Sequence, residues 1–165
     1  MKKLLVIIIT TICFSCRSYN VTENSATCLL FPKHHPALIF KKAGNCIIDT
    51  IINDTIKENY VLLNILKINH RYAKVEVQYT LSEKREIGWI EKKHLGIYPV
   101  STPIIYLYSS PQKGSNICDS LIDANWGKLL TIDKHRKGWL YIKNELHHGW
   151  MAPNDQCSNP YSSCN

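Results

Sequence analysis

The sequence predicts an all-β fold, with two small β-barrels in tandem after an N-terminal signal peptide. Valine, isoleucine, tyrosine and threonine are dense from about Leu29 onward, and turn-forming residues recur at short intervals. Residues 74–79 and 139–143 alternate polar with apolar side chains, as half-buried strands do. The second half of the chain also repeats the first. Each copy of roughly 60 residues is too small to bury enough apolar area as a flat sheet, so each is expected to curl into a barrel.

The N-terminus has the layout of a secretory signal. Lys2 and Lys3 precede an apolar run from Leu4 to Phe14, and Ser15 then stands directly before Cys16. The run is shorter than the roughly 20 residues that a membrane-spanning helix needs. This order resembles a bacterial lipoprotein signal of the Bacteroidetes type, in which a peptidase cuts before the cysteine and the sulfur then carries a lipid. The resemblance implies lipidation at Cys16 and an exported lipoprotein of the outer membrane or periplasm. An ordinary secreted protein is the alternative.

The charge and composition are those of a folded, mildly basic domain. Apolar residues make up 45% of the 165-residue chain, enough for a packed core. The formal charge of +7 falls to +5 when the two lysines of the signal are removed. A basic excess of this size favours anionic surfaces such as lipid headgroups or cell-wall polymers, although a solvated surface explains it as well. Because an exported protein seldom meets nucleic acid, we do not expect a nucleic-acid partner.

The seven cysteines leave an odd number after processing. Cys13 departs with the signal and Cys16 takes the lipid, so five remain and at least one is unpaired within the chain. Cys157 and Cys164 enclose a turn-rich loop and are the disulfide candidate, since export permits disulfides. The alternative is half of a zinc site with the histidines at 147 and 148, but the spacing matches no familiar zinc pattern. We expect no metal and no cofactor.

The internal repeat runs through most of the chain. Residues 62–77 match residues 129–144 at a constant offset of 67. Shorter matches flank this one, residues 49–52 with 119–122 and residues 88–90 with 149–151. The first copy is longer by six residues in a polar hairpin tip, where insertions are tolerated. The organisation expected from these matches is a signal at 1–15, a tether at 16–28, barrels at 29–98 and 99–156, and a Cys-bounded tail at 157–165.

The order of short motifs resembles the bacterial SH3-like domain. The motifs are Asp119, LLTI at 129–132, GWLYIK at 138–143 and HGWM at 148–151, and the first copy carries a weaker version. The C-terminal CSNPYSSC also resembles a tail found in exported SH3-like proteins of Bacteroidetes-type bacteria. The resemblance implies tandem SH3-like barrels that bind a ligand in an aromatic-lined groove. Such domains often accompany papain-like cell-wall peptidases, but the two repeats leave no room for a separate catalytic domain.

The candidates for catalysis are weak, and we expect no enzymatic activity. Cys46 and Cys118 occupy related places in the two copies and are interpreted as small buried side chains rather than nucleophiles. Asp49 and Asp119 are related in the same way. Paired carboxylates can cleave glycosides, but hydrogen bonding within turns is the expected role. The seven histidines lie in no spacing that indicates a triad or a metal site.

The aromatic side chains of the second copy are the candidate ligand-binding residues. Tyrosine and tryptophan offer large, stiff contact area with a polar tip. Strand alternation places Leu140 and Ile142 on the core face and the aromatics of the same strand on the other face, where we expect more exposure. Trp89 and Trp150 follow glycines and are interpreted as core. The predicted groove residues are Tyr106, Tyr108, Trp126, Trp139 and Tyr141. The alternative is that these aromatics pack between the two barrels.

The function expected from the sequence is non-catalytic binding at the cell envelope. The ligand would be a peptidoglycan peptide or an envelope partner protein, with the membrane reached through the N-terminal lipid. A structural or protein–protein adaptor, such as an inhibitor subunit, is one alternative. An atypical cell-wall hydrolase is another.

Overall fold

The computed structural model describes residues 25–31, 35–122, 128–162 and 164. The expected signal at 1–15, the lipidation candidate Cys16 and the groove candidate Trp126 lie outside these residues. The described part of the chain is all-β, as predicted, with two single-turn 3₁₀ helices, η1 (Lys92–His94) and η2 (Pro153–Asp155). The strands are β1 (Ala26–Leu30), β2 (Ala37–Lys42), β3 (Asn45–Ile51), β4 (Val61–Ile68), β5 (Tyr72–Tyr79), β6 (Arg85–Glu91), β7 (Leu95–Pro99), β8 (Ile104–Tyr108), β9 (Ile117–Ile122), β10 (Leu130–Arg136), β11 (Trp139–Lys143), β12 (His148–Met151) and β13 (Gln156–Cys157). In this part of the chain, no helix has the length and apolar content to cross a membrane.

The strands form one antiparallel sheet that does not close on itself. Its order is β3-β2-β6-β5-β4-β1-β7-β10-β11-β12-β8-β9, and β13 pairs with β7 beside this path. Strand pairing therefore runs without interruption from the first half of the chain into the second. The described residues make one open path through both halves rather than two separate closed rings.

The strand order repeats within the sheet. β3-β2-β6-β5-β4 in the first half corresponds to β9-β8-β12-β11-β10 in the second. The match extends to the flanking strands, because β1 pairs with β4 and β7 as β7 pairs with β10 and β13. β7 is thus the last strand of the first half and the first strand of the second. The expected boundary between residues 98 and 99 falls inside this shared strand.

The same local irregularities recur in both halves. Register shifts lie at Ile39/Phe40 in β2 and at Leu107/Tyr108 in β8, two places related by the repeat. A second related pair lies at Ile65/Lys67 in β4 and at Ile132/Lys134 in β10. β-Bulges bend a strand and increase its twist. The two halves therefore bend at equivalent points.

Gly88 and Gly149, each directly before a tryptophan, let a hairpin pack closely onto the sheet. A Cβ on Gly149 would lie 2.7 Å from Leu107 Cβ and 2.9 Å from Cys118 Sγ. A Cβ on Gly88 would collide with Ile39 of β2, the counterpart of Leu107. The close approach of β8 to β12, and of β2 to β6, thus requires the absence of a side chain at these positions.

The core lies on the inner face of the sheet and follows strand alternation. In β11 the fully buried Leu140 and Ile142 face inward, and Met151 and Leu107 join them from the neighbouring strands. The largest fully buried side chains come from both halves, namely Leu30, Ile39, Ile51, Leu63, Ile65, Ile90, Leu95, Ile97, Ile105, Leu107, Ile132 and Leu140. One continuous core therefore holds both halves, at about 1.5–3 kcal/mol for each fully buried aliphatic side chain.

The expected tether at 16–28 is wrong at its C-terminal end. β1 begins at Ala26, and Ala26 and Cys28 are buried. Both residues pair with β4, Ala26 opposite Ile65 and Cys28 opposite Leu63. The sequence before Ala26 and Cys28 is polar, so no strand was expected there. The inward-facing positions at the start of this strand are small and apolar.

The C-terminal tail contacts both halves of the molecule. Cys157 and Cys164 form a disulfide, with their Cα atoms 5.5 Å apart. Cys157 itself belongs to β13 and pairs with Tyr98 of β7. Tyr161 Oη lies 2.6 Å from the main-chain oxygen of Glu58 and 2.7 Å from Thr80 Oγ1, both in the first half. The tail therefore connects the end of the second half to two loops of the first.

Candidate functional site

An aromatic row crosses the outer face of the second half. Trp150 of β12 pairs with Tyr141 of β11 on one side and with Tyr108 of β8 on the other. Residues directly opposite each other in a sheet share a face. Because Leu140 and Met151, the neighbours of these positions, face the core, the three rings face outward.

The rings contact one another edge to face. The centroids of Tyr141 and Trp150 are 5.4 Å apart, and those of Tyr108 and Trp139 are 5.6 Å apart, at interplanar angles of 70° and 86°. Lys134 Nζ lies 4.9 Å from the centroid of Tyr141, a cation–π distance. Each aromatic pair of this kind contributes about 0.5–1.5 kcal/mol beyond the burial of its area. Each ring of the row is therefore packed against a second aromatic ring, in two pairs.

The predicted groove residues fall into different environments. Tyr108 and Tyr141 are half-buried in the row, whereas Tyr106 is 44% exposed and makes no ring contact with another described aromatic residue. The expected exposure of Trp139 is wrong, because its side chain is only 8% exposed. The segment after β12 returns to this end of β11, where Gln156 Nε2 donates to the main-chain oxygen of Gly138 at 2.9 Å. Alternation gave the correct face for Trp139 but could not show its edge-to-face contact with Tyr108 of β8.

The interpretation of Trp150 as a core residue is also wrong. Trp150 is half-buried at the centre of the outer row, and Trp89 is half-buried at the equivalent place in the first half. A signal for this was present in the sequence. Gly149 and Met151 on either side of Trp150 both face inward, so strand alternation turns the tryptophan outward.

The first half carries a related aromatic arrangement. Phe40 pairs with Trp89, as Tyr108 pairs with Trp150. Phe40 also contacts Tyr72 edge to face at 5.9 Å and 82°, which corresponds to the contact between Tyr108 and Trp139. The repeat therefore preserves ring geometry as well as strand order.

Two clefts adjoin these aromatic surfaces. A cleft of about 690 Å³ in the first half is lined by Phe31, His35, Pro36, Leu38, Phe40, Glu91, Lys93 and His94. A cleft of about 620 Å³ lies between the halves and is lined by Ile68, Asn69, His70, Lys92, Asp133, Lys134, His135, Arg136 and Trp150. Both volumes fall in the range of about 300–1,000 Å³ that is typical of ligand sites.

His94 lines the cleft of the first half and is held there by hydrogen bonds with Phe31. Its Nδ1 lies 3.0 Å from the main-chain oxygen of Phe31, and the Phe31 N–H donates to the main-chain oxygen of His94 at 2.8 Å. A neutral ring with its proton on Nδ1 makes this reciprocal pair. Burial lowers the pKa of His94 below its ordinary value, although the bond to Phe31 acts in the opposite direction.

Asp119 is an acceptor within the second half. Its carboxylate accepts from the backbone N–H of Ser120 at 2.7 Å and of His148 at 3.0 Å, and His147 Nδ1 lies 3.3 Å away. Burial alone would raise the pKa of Asp119, but the two N–H groups and the His147 ring together lower it. These contacts hold the β9 edge to the turn before β12.

Asp49 plays the corresponding part in the first half. It accepts from the Thr50 N–H at 2.7 Å and from Lys84 Nζ at 2.8 Å, and the Lys84 contact is the main reason that the pKa of Asp49 is lowered. Asp49 therefore joins the β2–β3 hairpin to the loop before β6, and Asp119 joins the β8–β9 hairpin to the start of β12. Neither contact prepares a carboxylic acid for proton transfer.

The interpretation of Cys46 and Cys118 as buried side chains is wrong, because both are exposed and carry free thiols. Cys118 Sγ lies 3.5 Å from the main-chain oxygen of Leu107 and 3.6 Å from that of His148, and neither atom can serve as a base. Cys28 is fully buried, and burial raises the pKa of its thiol. Across residues 25–31, 35–122, 128–162 and 164, no three His, Cys, Asp or Glu side chains gather closely enough to hold a metal ion. Because Cys157 and Cys164 form a disulfide, they are not the zinc ligands of the alternative interpretation.

Comparison with known proteins gives limited similarity. No protein-family model matches the chain, and no curated protein matches it. A solved structure of NlpC1 from Trichomonas vaginalis aligns with 92% of this chain and 51% of its own length, at 16% identity and a TM-score of 0.31. NlpC2 from the same organism aligns with 82% of this chain and 48% of its own, at 16% identity and a TM-score of 0.32. The chain thus spans about half the length of each of these structures.

Proposed function

We propose that the chain is a non-catalytic binding module of the bacterial cell envelope. In this proposal it is exported, held at a membrane by a lipid on Cys16, and folded as two SH3-like barrels that share β7. Its ligand is a peptidoglycan peptide or an envelope partner protein. The observation that carries the proposal is the aromatic row of Tyr108, Tyr141 and Trp150 on the outer face of the second half.

The repeated strand order supports the barrel part of the proposal. In each half a hairpin folds back onto the Gly-Trp strand, β2–β3 onto β6 and β8–β9 onto β12. The glycines at 88 and 149 permit that close approach, and equivalent bulges bend β2 and β8. A sheet bent in this way buries more apolar area than a flat one of the same size.

The aromatic row supports the binding part of the proposal. Tyrosine and tryptophan provide large contact areas at a small cost in side-chain entropy, which suits them to peptide ligands. The edge-to-face contacts hold the rings in place before a ligand arrives. A preorganised surface loses less entropy on binding than a mobile one.

Co-sedimentation with purified peptidoglycan sacs tests the proposal. We expect the full chain, solubilised in detergent, to be retained, and Tyr141→Ala to reduce retention severalfold while the circular dichroism spectrum is kept. Leu146→Ala is the matched control, since Leu146 is 74% exposed and lies outside the row. No retention above background at low salt would favour an adaptor. Turnover of wall fragments that persists without Cys46 and Cys118 would indicate an enzyme.

Membrane fractionation tests the lipid anchor separately. Cys16→Ala removes the thiol that would carry the lipid, so we expect the variant to leave the membrane fraction when it is produced in a host that processes lipoproteins. A variant that stays in the membrane fraction would contradict lipidation at this cysteine.

A further inference from the structure

The cleft between the two halves forms part of a longer groove. Beside it lies a shallower cleft of about 370 Å³, and the two share His70 and Lys92. The shallower cleft adds Arg71, Glu91 and Lys93 to the lining. Glu91 and Lys93 also line the cleft of the first half. The three clefts therefore adjoin one another between Phe40 in the first half and Trp150 in the second, and we call them together the junction groove.

An ion pair fixes the walls of the junction groove. Lys92 Nζ of η1 lies 2.6 Å from Asp133 Oδ1 of β10, and the Lys92 N–H donates to the main-chain oxygen of Arg71 at 2.9 Å. Both charged side chains of the pair are partly buried. The pair joins the 3₁₀ turn of one half to a strand of the other, and both of its side chains line the cleft between the halves.

The middle of the junction groove carries an excess of positive charge. In the two overlapping clefts there, the described lining holds five lysine or arginine side chains and two carboxylates. Both carboxylates already have cationic partners, Asp133 with Lys92, and Glu91 with Arg71 and Lys93. Lys134 and Arg136, in contrast, project exposed from β10. They are the residues best placed to meet an anionic ligand, and Arg136 can hold a carboxylate through two parallel bonds.

The apolar part of the groove distinguishes between classes of anion. Ile68 and the half-buried Trp150 line the same cleft as Lys134 and Arg136. A phosphate polymer has no aliphatic groups to pack against these apolar surfaces. A peptide can place aliphatic groups there and its carboxylates against the basic side chains. Charge complementarity and the apolar lining together favour an extended peptide with free carboxylates.

We infer that the junction groove binds the carboxylates of an extended acidic peptide, with Lys134 and Arg136 as their partners and Trp150 as the apolar contact. This inference rests on the proposed binding function, because it specifies the ligand of a surface that includes Trp150. It adds that both halves contribute to one site. Neither half alone would supply the whole lining.

Fluorescence anisotropy with a labelled hexapeptide tests the inference. The probe is fluorescein-labelled Ala-Glu-Ala-Glu-Ala-Glu with a free C-terminus, and its neutral counterpart has Gln for each Glu and an amidated end. We expect the full chain in detergent to bind the acidic probe at least about tenfold more tightly, a difference of about 1.4 kcal/mol. We expect the double variant Lys134→Ala/Arg136→Ala to lose that preference, and Lys41→Ala/Lys113→Ala to keep it. The control removes the same charge from exposed lysines outside the groove.

Three results would overturn the inference. One is equal binding of the acidic and the neutral probe. Another is an equal loss of affinity for the acidic probe in the two double variants, which would show that binding depends only on the overall charge of the chain. The third is direct binding of polyphosphate by a chain that does not bind the acidic probe, which would indicate a phosphate-bearing partner.

The same variants separate this inference from the proposed function. If the Lys134→Ala/Arg136→Ala variant sediments with peptidoglycan sacs as the unmodified chain does, the carboxylate site is wrong while wall binding stands. If the unmodified chain binds the acidic probe but not the sacs, the junction groove stands and the wall ligand is wrong.

Discussion

Lys92 Nζ and Asp133 Oδ1 lie 2.6 Å apart and join a 3₁₀ turn of the first half to a strand of the second. The two side chains are 23% and 28% exposed, so water screens this pair less than the more exposed pair of Lys57 and Asp54. Its position matters more than its strength, because it is one of the polar contacts that cross between the halves.

Removing one partner of this ion pair should destabilise the protein measurably. We expect Asp133→Ala to lower the free energy of unfolding in urea by about 1 kcal/mol, since Lys92 would stay partly buried without its carboxylate. Lys57→Ala is the control, because Lys57 is 80% exposed and 3.9 Å from Asp54. An effect of Asp133→Ala no larger than that of the control would mean that the pair contributes nothing to the contact between halves.

The tyrosine of the C-terminal tail should contribute to stability through its hydroxyl group. Tyr161→Phe removes the contacts with Glu58 and Thr80 and keeps the ring against Tyr60. We expect a loss of about 0.5–1.5 kcal/mol in the free energy of unfolding. Tyr106→Phe, at an exposed tyrosine, should change it by less than about 0.5 kcal/mol. Equal effects of the two variants would contradict the role given to the tail.

Stability should fall as the pH decreases below about 6.5, because of His94. The pKa of His94 is lowered in the folded protein, chiefly by burial, while Lys93 and Glu91 act in opposite directions. The unfolded chain therefore takes up the proton first. The contribution of the neutral ring is complete above the unfolded pKa and is lost as the pH falls through the folded one.

Thermal denaturation between pH 8 and pH 5.5 measures this effect. His94→Asn keeps a donor for the Phe31 carbonyl and cannot be protonated, so the Tm of the variant should depend less on pH than that of the unmodified chain. Identical pH profiles for the two proteins would exclude His94 as the source.

Gly88 and Gly149, which precede Trp89 and Trp150, should tolerate no side chain. Gly88→Ala places a methyl group against Ile39 and should cost about 1–3 kcal/mol, or more if β2 is displaced from β6. Gly114→Ala is the control, since a Cβ there meets nothing within 4 Å and only the positive φ of 80° opposes it. Urea unfolding of both variants measures the difference. A Gly88→Ala protein as stable as the control would show that the hairpin does not need the close approach.

The sequence predicted the class of fold and the repeat because both depend on local patterns. Alternation in residues 139–143 identified Leu140 and Ile142 as core, and the matched motifs correspond to strands with the same neighbours in the sheet. The disulfide between Cys157 and Cys164 was also the pairing expected from the turn-rich loop between them.

The site was predicted only in part, because its geometry depends on distant segments. The buried Trp139 packs edge to face against Tyr108, which is distant in the sequence, and no local pattern encodes that contact. The outward position of Trp150 was available from its neighbours, but the Gly-Trp motif was interpreted as core instead. The junction groove was missed altogether. It is formed by a turn at Asn69 and a strand at Arg136, which are far apart in the sequence.

The use of β7 by both halves has a consequence for how the molecule unfolds. A fragment that stops before Leu95 lacks its last strand, and one that starts after Pro99 lacks its first. If either half loses its hydrogen bonds to β7, it exposes an edge of this strand, which also belongs to the other half. Calorimetry should therefore record a single cooperative transition with equal calorimetric and van't Hoff enthalpies, although the chain is long enough for two independent domains.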